Sequence, residues 1–225
     1  MRVIDQESWP RRKHFDIFRG FDHPHISVSV RIDVTTLWQQ RRQLGASPTT
    51  ALVYVLTKAA NRVPELRQRI RGEQVVEHDV IHPLIPILGN EEMFTPCCLT
   101  YDACFSDFTA GAKKRIAEAK DHVSLDEWLY DQDGNLKRDD LLSITIIPWF
   151  SPTSLSLTRP SGDSIPLLSY GKVLRNGDRF ELPVSIDFHH GLVDGLHVAR
   201  FIAFAEEEAK ELASHAMRQE CERDG

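Results

Sequence analysis

Residues 183–201 read PVSIDFHHGLVDGLHVARF, and this stretch decides the fold. From 180 to 188 apolar residues alternate with other types, which is the period of a half-buried β-strand. One face of that strand carries Phe180, Leu182, Val184, Ile186 and Phe188, and the other carries Glu181, Pro183, Ser185 and Asp187. A His-His-Gly sequence at 189–191 ends the alternation, and helical spacing follows from residue 193. The stretch therefore predicts a strand, a sharp loop and a helix.

Three histidines and an aspartate lie together at the end of this strand: His189, His190, Asp194 and His197. A neutral imidazole on a rigid strand end can act as a general base, because imidazole titrates at about pH 6.5. Two histidines and an aspartate could instead bind a metal ion, although adjacent residues of a strand point to opposite faces. In a structural interpretation, Asp194 only caps a helix that begins at Gly195. The spacing alone leaves these three interpretations open.

The composition limits the classes of protein to which the chain could belong. It has 225 residues, a net charge of −6 and no long basic run, which argues against nucleic acid as the main partner. No apolar run approaches the roughly 18–20 residues that cross a bilayer, and the N-terminus lacks the apolar segment of a secretory signal. Four cysteines without a C-x-x-C pair indicate free thiols in a reducing compartment. We therefore expect a cytoplasmic protein that binds neither nucleic acid nor membrane.

Besides a short N-terminal helix over 9–19 that is packed by its aromatic residues, three longer helices are predicted along the chain. Ser47 and Pro48 favour a helix start, because serine caps a helix and proline fits its first turn, and the helix should end before Pro64. A second helix is expected over 106–122, and a third over 194–215. The second helix would be capped by Ser106 or Asp107.

Strands are expected between these helices. Asn176-Gly177 predicts a type I′ turn, in which both central residues have positive φ. The polar run DQDGN at 131–135 lacks the spacing of a calcium-binding loop and predicts a surface loop. The element order predicts a single α/β or α+β domain over 1–225, built on one large mixed sheet. The predicted strands cover 26–33, 74–80, 83–88, 92–101, 142–150, 153–158, 165–173 and 179–188.

Five stretches resemble, in the right order, the trimeric, acetyl-CoA-dependent chloramphenicol acetyltransferases. They are WPRRKHF (9–15), PELR (64–67), TIIPW (145–149), PLLSYGK with NGDR (166–172 and 176–179), and HHGLVDG (189–195). The His-x-x-x-Asp-Gly element also marks a broader acyltransferase superfamily that includes dihydrolipoamide acyltransferases. The resemblance implies an α/β fold, a two-layer sandwich in which helices cover a large mixed sheet. It also implies a homotrimer with active sites between subunits, no tightly bound cofactor, and acetyl-CoA as cosubstrate.

The resemblance implies a role for each catalytic position. His190 would be the general base, and Asp194 would pair with Arg11 to hold the loop in shape. Thr145 takes the place of a family serine that donates a hydrogen bond to the oxyanion, which can contribute roughly 3 kcal/mol of transition-state stabilisation. Ser169 replaces a family threonine that helps to bind the intermediate through water.

The resemblance also implies an acceptor pocket and a coenzyme contact. The family has tyrosine where Phe18 falls and phenylalanine where Ile26 falls, so the shape and hydrogen bonding of the pocket differ. Lys172 would lie near the coenzyme, followed by Val173 where an aromatic residue is usual. The implied acceptor-binding residues are Phe18, Ile26, Phe94, Leu155, Leu157 and Ser169.

The implied function is transfer of an acetyl group from acetyl-CoA to a hydroxyl of a small molecule. The acceptor would attack directly in a ternary complex, with chloramphenicol as the leading candidate. One alternative is the same fold acting on a different alcohol, an amine or a thiol. Another is a non-catalytic trimeric module that binds hydrophobic ligands.

Overall fold

The computed structural model describes residues 1–89, 92–121, 124–125, 138–160 and 162–221, except for the side chains of 217–221. The helices are α1 (Arg12–Phe18), α2 (Thr35–Gln39), α3 (Pro48–Asn61), α4 (Phe105–Asp121) and α5 (Gly195–Cys221), and a 3-10 helix covers Pro64–Arg67. The strands are β1 (Arg2–Val3), β2 (His25–Asp33), β3 (Gln68–Arg71), β4 (Gln74–Glu77), β5 (His82–Leu88), β6 (Phe94–Cys98), β7 (Leu141–Ile146), β8 (Leu167–Tyr170), β9 (Leu174–Asn176) and β10 (Arg179–His189). The loop predicted over 131–135 lies outside the described residues. Within them, no helix has the length and apolar character needed to span a bilayer.

A seven-stranded mixed sheet forms the centre of the fold. Its order is β2-β10-β8-β7-β5-β6, and β9 also pairs with β10. The pairs β5–β7 and β7–β8 are parallel, whereas the pairs of β10 with β2, β8 and β9 and the pair β5–β6 are antiparallel. A second, three-stranded sheet has the order β1-β4-β3. The predicted α/β fold with a large mixed sheet and covering helices is confirmed.

One face of the central sheet carries the apolar core. Along β10, Val184, Ile186 and Phe188 are buried and belong to one apolar cluster with residues of α3 and α5. The alternation that defines the strand therefore supplies this face, as the sequence predicts.

The opposite face of the sheet carries a row of hydroxyl groups. Ser185 lies opposite Ser29 on β2 and Ser169 on β8, and Ser169 lies opposite Thr145 on β7. Residues paired in this way project to the same side, and their neighbours along each strand belong to the core. We call this side, marked by Thr145, Ser169 and Ser185, the hydroxyl face.

Residues 151–160 lie against the hydroxyl face and belong to no strand. The Ser27 hydroxyl donates to the Leu155 carbonyl at 3.3 Å, and the Ser156 hydroxyl donates to Asp187 Oδ1 at 3.4 Å. The strand predicted over 153–158 is therefore wrong. Its alternation is nevertheless present, because Leu155 and Leu157 are half-buried while Ser156 is exposed.

Helix boundaries agree with the sequence at α3 and differ elsewhere. The Ser47 hydroxyl accepts the Thr50 N–H at 3.0 Å, so the predicted cap is present, a contact that contributes about 1 kcal/mol. Helix α4 begins before Ser106, and the Asp102 carboxylate accepts the Cys104 N–H at 2.8 Å just ahead of it. The cap predicted at Ser106 or Asp107 is therefore wrong. Helix α5 continues to Cys221, beyond the predicted end at 215, because no glycine or proline interrupts it.

The hairpin between β9 and β10 turns one residue later than predicted. Asn176 pairs with Arg179, so the two central residues are Gly177 and Asp178. Gly177 has φ of 60°, whereas Asp178 does not have positive φ. A positive φ at the first central position alone fits a type II′ turn, and the type I′ prediction is wrong.

Candidate active site

Arg11 connects the N-terminal segment to the loop after β10. Its Nη1 lies 2.5 Å from Asp194 Oδ2, and its Nη2 donates to the His190 carbonyl oxygen at 3.1 Å. Burial tends to raise the pKa of Asp194, but the hydrogen bond from Arg11 and the nearby His197 and Arg11 charges hold that pKa below its ordinary value. The ion pair implied by the resemblance is present.

Asp194 also caps α5. The structural interpretation, in which this residue is a helix cap, is therefore correct in addition to the ion pair. Its Oδ1 accepts the Leu196 N–H at 3.0 Å, while its own N–H donates to His197 Nδ1 at 3.0 Å. His197 is buried, and burial lowers its pKa. The sequence left His197 without a role, and the structure makes it part of the cap.

The His190 ring is held in one orientation by two contacts, and its backbone is held by a third. Its Nδ1 lies 3.0 Å from the Val193 carbonyl oxygen, which can only accept, so Nδ1 carries the proton. Its backbone N–H donates to the Pro24 carbonyl at 2.8 Å, and the Phe18 ring packs on the imidazole with centroids 4.2 Å apart. This tautomer leaves Nε2 with a lone pair that can accept a proton.

His189 has a different environment from that of His190. It is buried, its ring meets the His25 ring edge-on with centroids 5.6 Å apart, and its Nδ1 accepts the Gly191 N–H at 3.1 Å. Burial, with the nearby His25 and Arg159 charges, lowers the pKa of His189 to about 4. A Cβ on Gly191 would lie 3.0 Å from the His189 ring, so this tight turn favours glycine. Among the described residues, no group of three or more His, Cys, Asp or Glu side chains is placed to hold a metal ion.

Thr145 lies in a cavity of about 530 Å³ on the hydroxyl face. Phe94 and Leu157, two of the implied acceptor-binding residues, line the same cavity. Arg159 and Asp163 line it as well, and the sequence did not predict either of them. The alternation Leu155, Leu157, Arg159 is the pattern that could have indicated Arg159.

The other predicted site residues lie outside this cavity. Ser169 lines a second cavity of about 260 Å³, and its buried hydroxyl has no hydrogen-bond partner among the described residues. Phe18 contacts His190, and Ile26 pairs with Phe188 on the core face of the sheet. Leu155 is half-buried, with its carbonyl held by Ser27.

Lys172 follows β8 and is exposed. Its N–H donates to the Phe150 carbonyl at 3.0 Å, and its carbonyl accepts the Ser151 hydroxyl at 2.5 Å. A Cβ on the preceding Gly171 would lie 2.7 Å from Pro152, so this close approach of two segments requires glycine. The backbone that carries the Lys172 side chain is therefore fixed.

A single chain keeps His190 away from Thr145. Thr145 lies level with Ser169, which lies level with Ser185, two strands away on β10. From Ser185 the strand continues to its end at His189, roughly 13 Å further at about 3.3 Å per residue. The two strand spacings of about 4.8 Å each run at right angles to the strand, so the backbone positions of Thr145 and His189 are roughly 16 Å apart. One chain does not bring the imidazole to the Thr145 hydroxyl.

Comparisons with known sequences identify the family of the chain. A model of the chloramphenicol acetyltransferase family matches residues 1–205. Chloramphenicol acetyltransferase 2 of Escherichia coli is 31% identical over 202 residues, which span 88% of this chain and 92% of that protein. Chloramphenicol acetyltransferase of Proteus mirabilis is 25% identical over 205 residues, which span 89% of this chain and 90% of that one.

Solved structures give the same assignment. A chloramphenicol acetyltransferase superposes with a TM-score of 0.80 at 29% identity, over 93% of this chain and 99% of the other. A probable dihydrolipoamide acetyltransferase from Listeria monocytogenes has a TM-score of 0.66 at 14% identity over 89% of each chain, a likeness of fold alone. The chain belongs to the chloramphenicol acetyltransferase family, and it is an acyltransferase.

Proposed function

We propose that this chain transfers an acetyl group from acetyl-CoA to a hydroxyl of a small molecule, with chloramphenicol as the leading acceptor. Family membership supports the reaction class. The observation that carries the proposal is the fixed tautomer of His190, in which Nδ1–H donates to the Val193 carbonyl and Nε2 keeps a free lone pair. Residues 1–225 would act as one acyltransferase domain in the cytoplasm.

In the proposed mechanism, His190 Nε2 accepts the proton of the acceptor hydroxyl as its oxygen attacks the thioester carbonyl. The resulting tetrahedral oxyanion is stabilised by the Thr145 hydroxyl. When the intermediate collapses, the carbon–sulfur bond breaks, and the proton on His190 passes to the sulfur to give free CoA and the acetyl ester. A positioned base of this kind contributes roughly 10²–10⁴-fold to the rate. The acceptor attacks directly, so the reaction needs no covalent enzyme intermediate.

We further propose that the active site forms between subunits of a homotrimer. The roughly 16 Å between Thr145 and the His189 end of β10 within one chain supports this arrangement, because a general base must come within hydrogen-bond reach of its proton. The apolar side chains beside the Thr145 cavity support it as well. Trp149 is 69% exposed and Phe94 is 44% exposed, and both line the cavity. A neighbouring subunit would bring its His190 to this cavity.

The acceptor and the coenzyme would approach from different sides of this interface. Phe94 and Leu157 in the cavity, with Phe18 on the partner's His190, would contact the acceptor. Ile26, Leu155 and Ser169 are proposed to support the same pocket. Lys172, exposed on a fixed backbone, would contact the coenzyme. Acetyl-CoA would enter as a cosubstrate.

The acetyl-transfer proposal is tested by release of free thiol from acetyl-CoA. Chloramphenicol and a panel of small alcohols, amines and thiols are offered as acceptors, and the acetylated products are identified by mass spectrometry. We expect O-acetylation of chloramphenicol at a rate well above hydrolysis of acetyl-CoA alone. Transfer to no acceptor by the folded protein would contradict the proposal, and transfer only to an amine or a thiol would reassign the acceptor.

The interface proposal is tested by mixing two inactive variants. His190→Ala and Thr145→Ala chains, carrying different tags, are unfolded together, refolded and compared with each variant refolded alone. In a 1:1 mixture about a quarter of the interfaces would combine an intact His190 with an intact Thr145, so about a quarter of wild-type activity should return. If both tags are recovered in one assembly and activity stays at the level of the single variants, the site lies within one chain.

A further inference from the structure

One peptide group, between Val193 and Asp194, lies between two imidazoles. Its carbonyl oxygen is 3.0 Å from His190 Nδ1, and its N–H donates to His197 Nδ1 at 3.0 Å. The peptide bond is trans, so its C=O and N–H lie in one plane and point in opposite directions. The orientation of this plane therefore decides both hydrogen bonds together.

His197 offers an acceptor that stays in one place. It lies in the first turn of α5, its ring is buried, and its own N–H donates to the Asp194 carbonyl oxygen at 3.1 Å. A buried ring on a helix has few positions open to it, so the Nδ1 lone pair can orient the Asp194 N–H. Loss of this acceptor would leave a partly buried N–H group without its partner, which costs free energy.

The surroundings of His197 favour the tautomer that this contact needs. Because Nδ1 accepts, the neutral ring carries its proton on Nε2. Nε2 lies 3.6 Å from Glu65 Oε1, and the negative charge of that carboxylate favours a proton on this side of the ring. Asp194 Oδ1 lies 3.1 Å from Nδ1, so a proton on Nδ1 would be donated to that oxygen, and the Asp194 N–H would lose its acceptor. Burial lowers the pKa of His197, which keeps the ring neutral near pH 7.

Resting on the acetyl-transfer function proposed above, we propose that His197 is a positioning residue for His190. By accepting the Asp194 N–H, it holds the shared peptide group in the orientation in which the Val193 carbonyl accepts from His190 Nδ1. A hydrogen bond at the N–H end of an amide also polarises its C=O end and strengthens the bond made there. If the plane rotates, nothing holds the His190 proton on Nδ1, and the tautomer with its proton on Nε2 cannot act as the base. His197 acts through this peptide group and need not contact either substrate.

Two variants, His197→Leu and His197→Asn, separate the hydrogen bond from packing. Asparagine can place its side-chain oxygen where Nδ1 accepts, whereas leucine fills more of the buried space and accepts nothing. We expect His197→Leu to lower kcat by about tenfold or more while KM for both substrates stays within about twofold, because only the reactive tautomer is affected. His197→Asn should keep kcat within a few-fold of the wild type. A role in packing alone predicts the opposite order of the two variants.

Leu212→Ala is the matched control for lost stability. Leu212 is buried on α5, about four turns beyond His197. Its truncation should lower the free energy of unfolding and leave kcat unchanged. Urea unfolding gives the stability of each variant, and steady-state thiol release gives kcat and KM.

Nitrogen-15 NMR separates this inference from the acetyl-transfer function. The histidine rings are labelled, and the His190 signals are assigned by their absence in His190→Ala. We expect the Nδ1–H tautomer of His190 in the wild type and a larger fraction of the Nε2–H tautomer in His197→Leu. If the wild type acetylates no acceptor but this difference is present, the acetyl-transfer function fails and the positioning role stands.

Three outcomes overturn the positioning role. One is a folded His197→Leu variant with the kcat and the His190 tautomer of the wild type. Another is a fall in kcat of His197→Leu with no change in the His190 tautomer. The third is a folded His197→Asn variant that loses more than about tenfold in kcat, and this result decides the matter whether or not His197→Leu folds.

Discussion

The His190 loop and the Thr145 cavity belong to the same proposed site, yet they differ in how far their polar groups find partners within the chain. Around His190, Arg11 pairs with Asp194, and the Val193 carbonyl accepts from the imidazole. In the cavity and the neighbouring strand, the Arg159 guanidinium and the Ser169 hydroxyl have no partners among the described residues. The groups that orient His190 find their partners within one chain, although Arg11 Nε is buried without a partner among the described residues, whereas these buried donors on the hydroxyl face have none there.

The two regions therefore have different tasks, because the loop positions a catalytic group and the cavity binds a ligand. The loop must hold one imidazole in one tautomer, and hydrogen bonds made within the chain do this without the acceptor or a neighbour. The cavity must bind a ligand. A buried donor without a hydrogen-bond partner costs free energy, and this cost is recovered only when an oxygen atom occupies the site. Variants of the two regions should therefore change different measured quantities.

The largest effect is expected at His190. His190→Ala removes the proposed base, so kcat should fall by roughly 10³-fold or more while KM for the acceptor changes little. The measurement is steady-state thiol release, with His215→Ala, an exposed histidine on α5, as the control. A His190→Ala variant with wild-type kcat would exclude His190 as the base.

A smaller loss of activity is expected at Thr145. Thr145→Ala removes the donor to the oxyanion, and kcat should fall by roughly 10²–10³-fold. Thr145→Ser keeps the hydroxyl and should retain kcat within a few-fold. Full kinetics of both variants at saturating acetyl-CoA check this expectation. Equal losses in Thr145→Ala and Thr145→Ser would mean that the methyl group, not the hydroxyl, matters at this position.

Much of the His190 region follows from the sequence, because its contacts are local or joined by motifs. The alternation along β10 predicts the strand and its core face, and the resemblance implies the Arg11–Asp194 pair. The cavity is less predictable, because its chemistry depends on register. That Thr145 lies level with Ser185 follows from two strand pairings, and no spacing in the sequence specifies them.

Residues 151–160 and the β9–β10 turn illustrate the same limit. Alternation over 153–158 predicts a strand, but the half-buried leucines result from packing against the sheet rather than from pairing within it. Asn176-Gly177 predicts a turn, and only the pairing of Asn176 with Arg179 moves its centre by one residue. The alternation of Leu155, Leu157 and Arg159 could indicate that the three side chains share a side, but not what that side packs against, because this depends on how the unpaired segment folds back on the sheet.

His189 lies at the end of β10, beside the His190 loop. It should make the free energy of unfolding depend on pH. Its pKa is about 4 in the folded chain, against about 6.5 for an unfolded histidine, so the unfolded state binds more protons between these values. Stability is full above about pH 6.5 and is lost as the pH falls towards 4, by up to about 3 kcal/mol. His189→Asn should reduce this slope, as measured by urea unfolding across that range at one protein concentration. An unchanged slope in the variant would show that other groups cause the dependence.

The smallest effect is expected at Asp194, where the cap and the ion pair can be separated. Asp194→Asn keeps an oxygen for the Leu196 N–H but loses the charge that pairs with Arg11. Because the Asp194 side chain is 36% exposed, solvent screens the pair, and the loss should be about 1–2 kcal/mol of unfolding free energy. Asp194→Ala also removes the cap and should cost roughly 1 kcal/mol more. Urea unfolding at fixed protein concentration measures both variants. If they are equally stable, the cap contributes nothing, and if Asp194→Asn matches the wild type, the ion pair is not what holds the His190 loop in place.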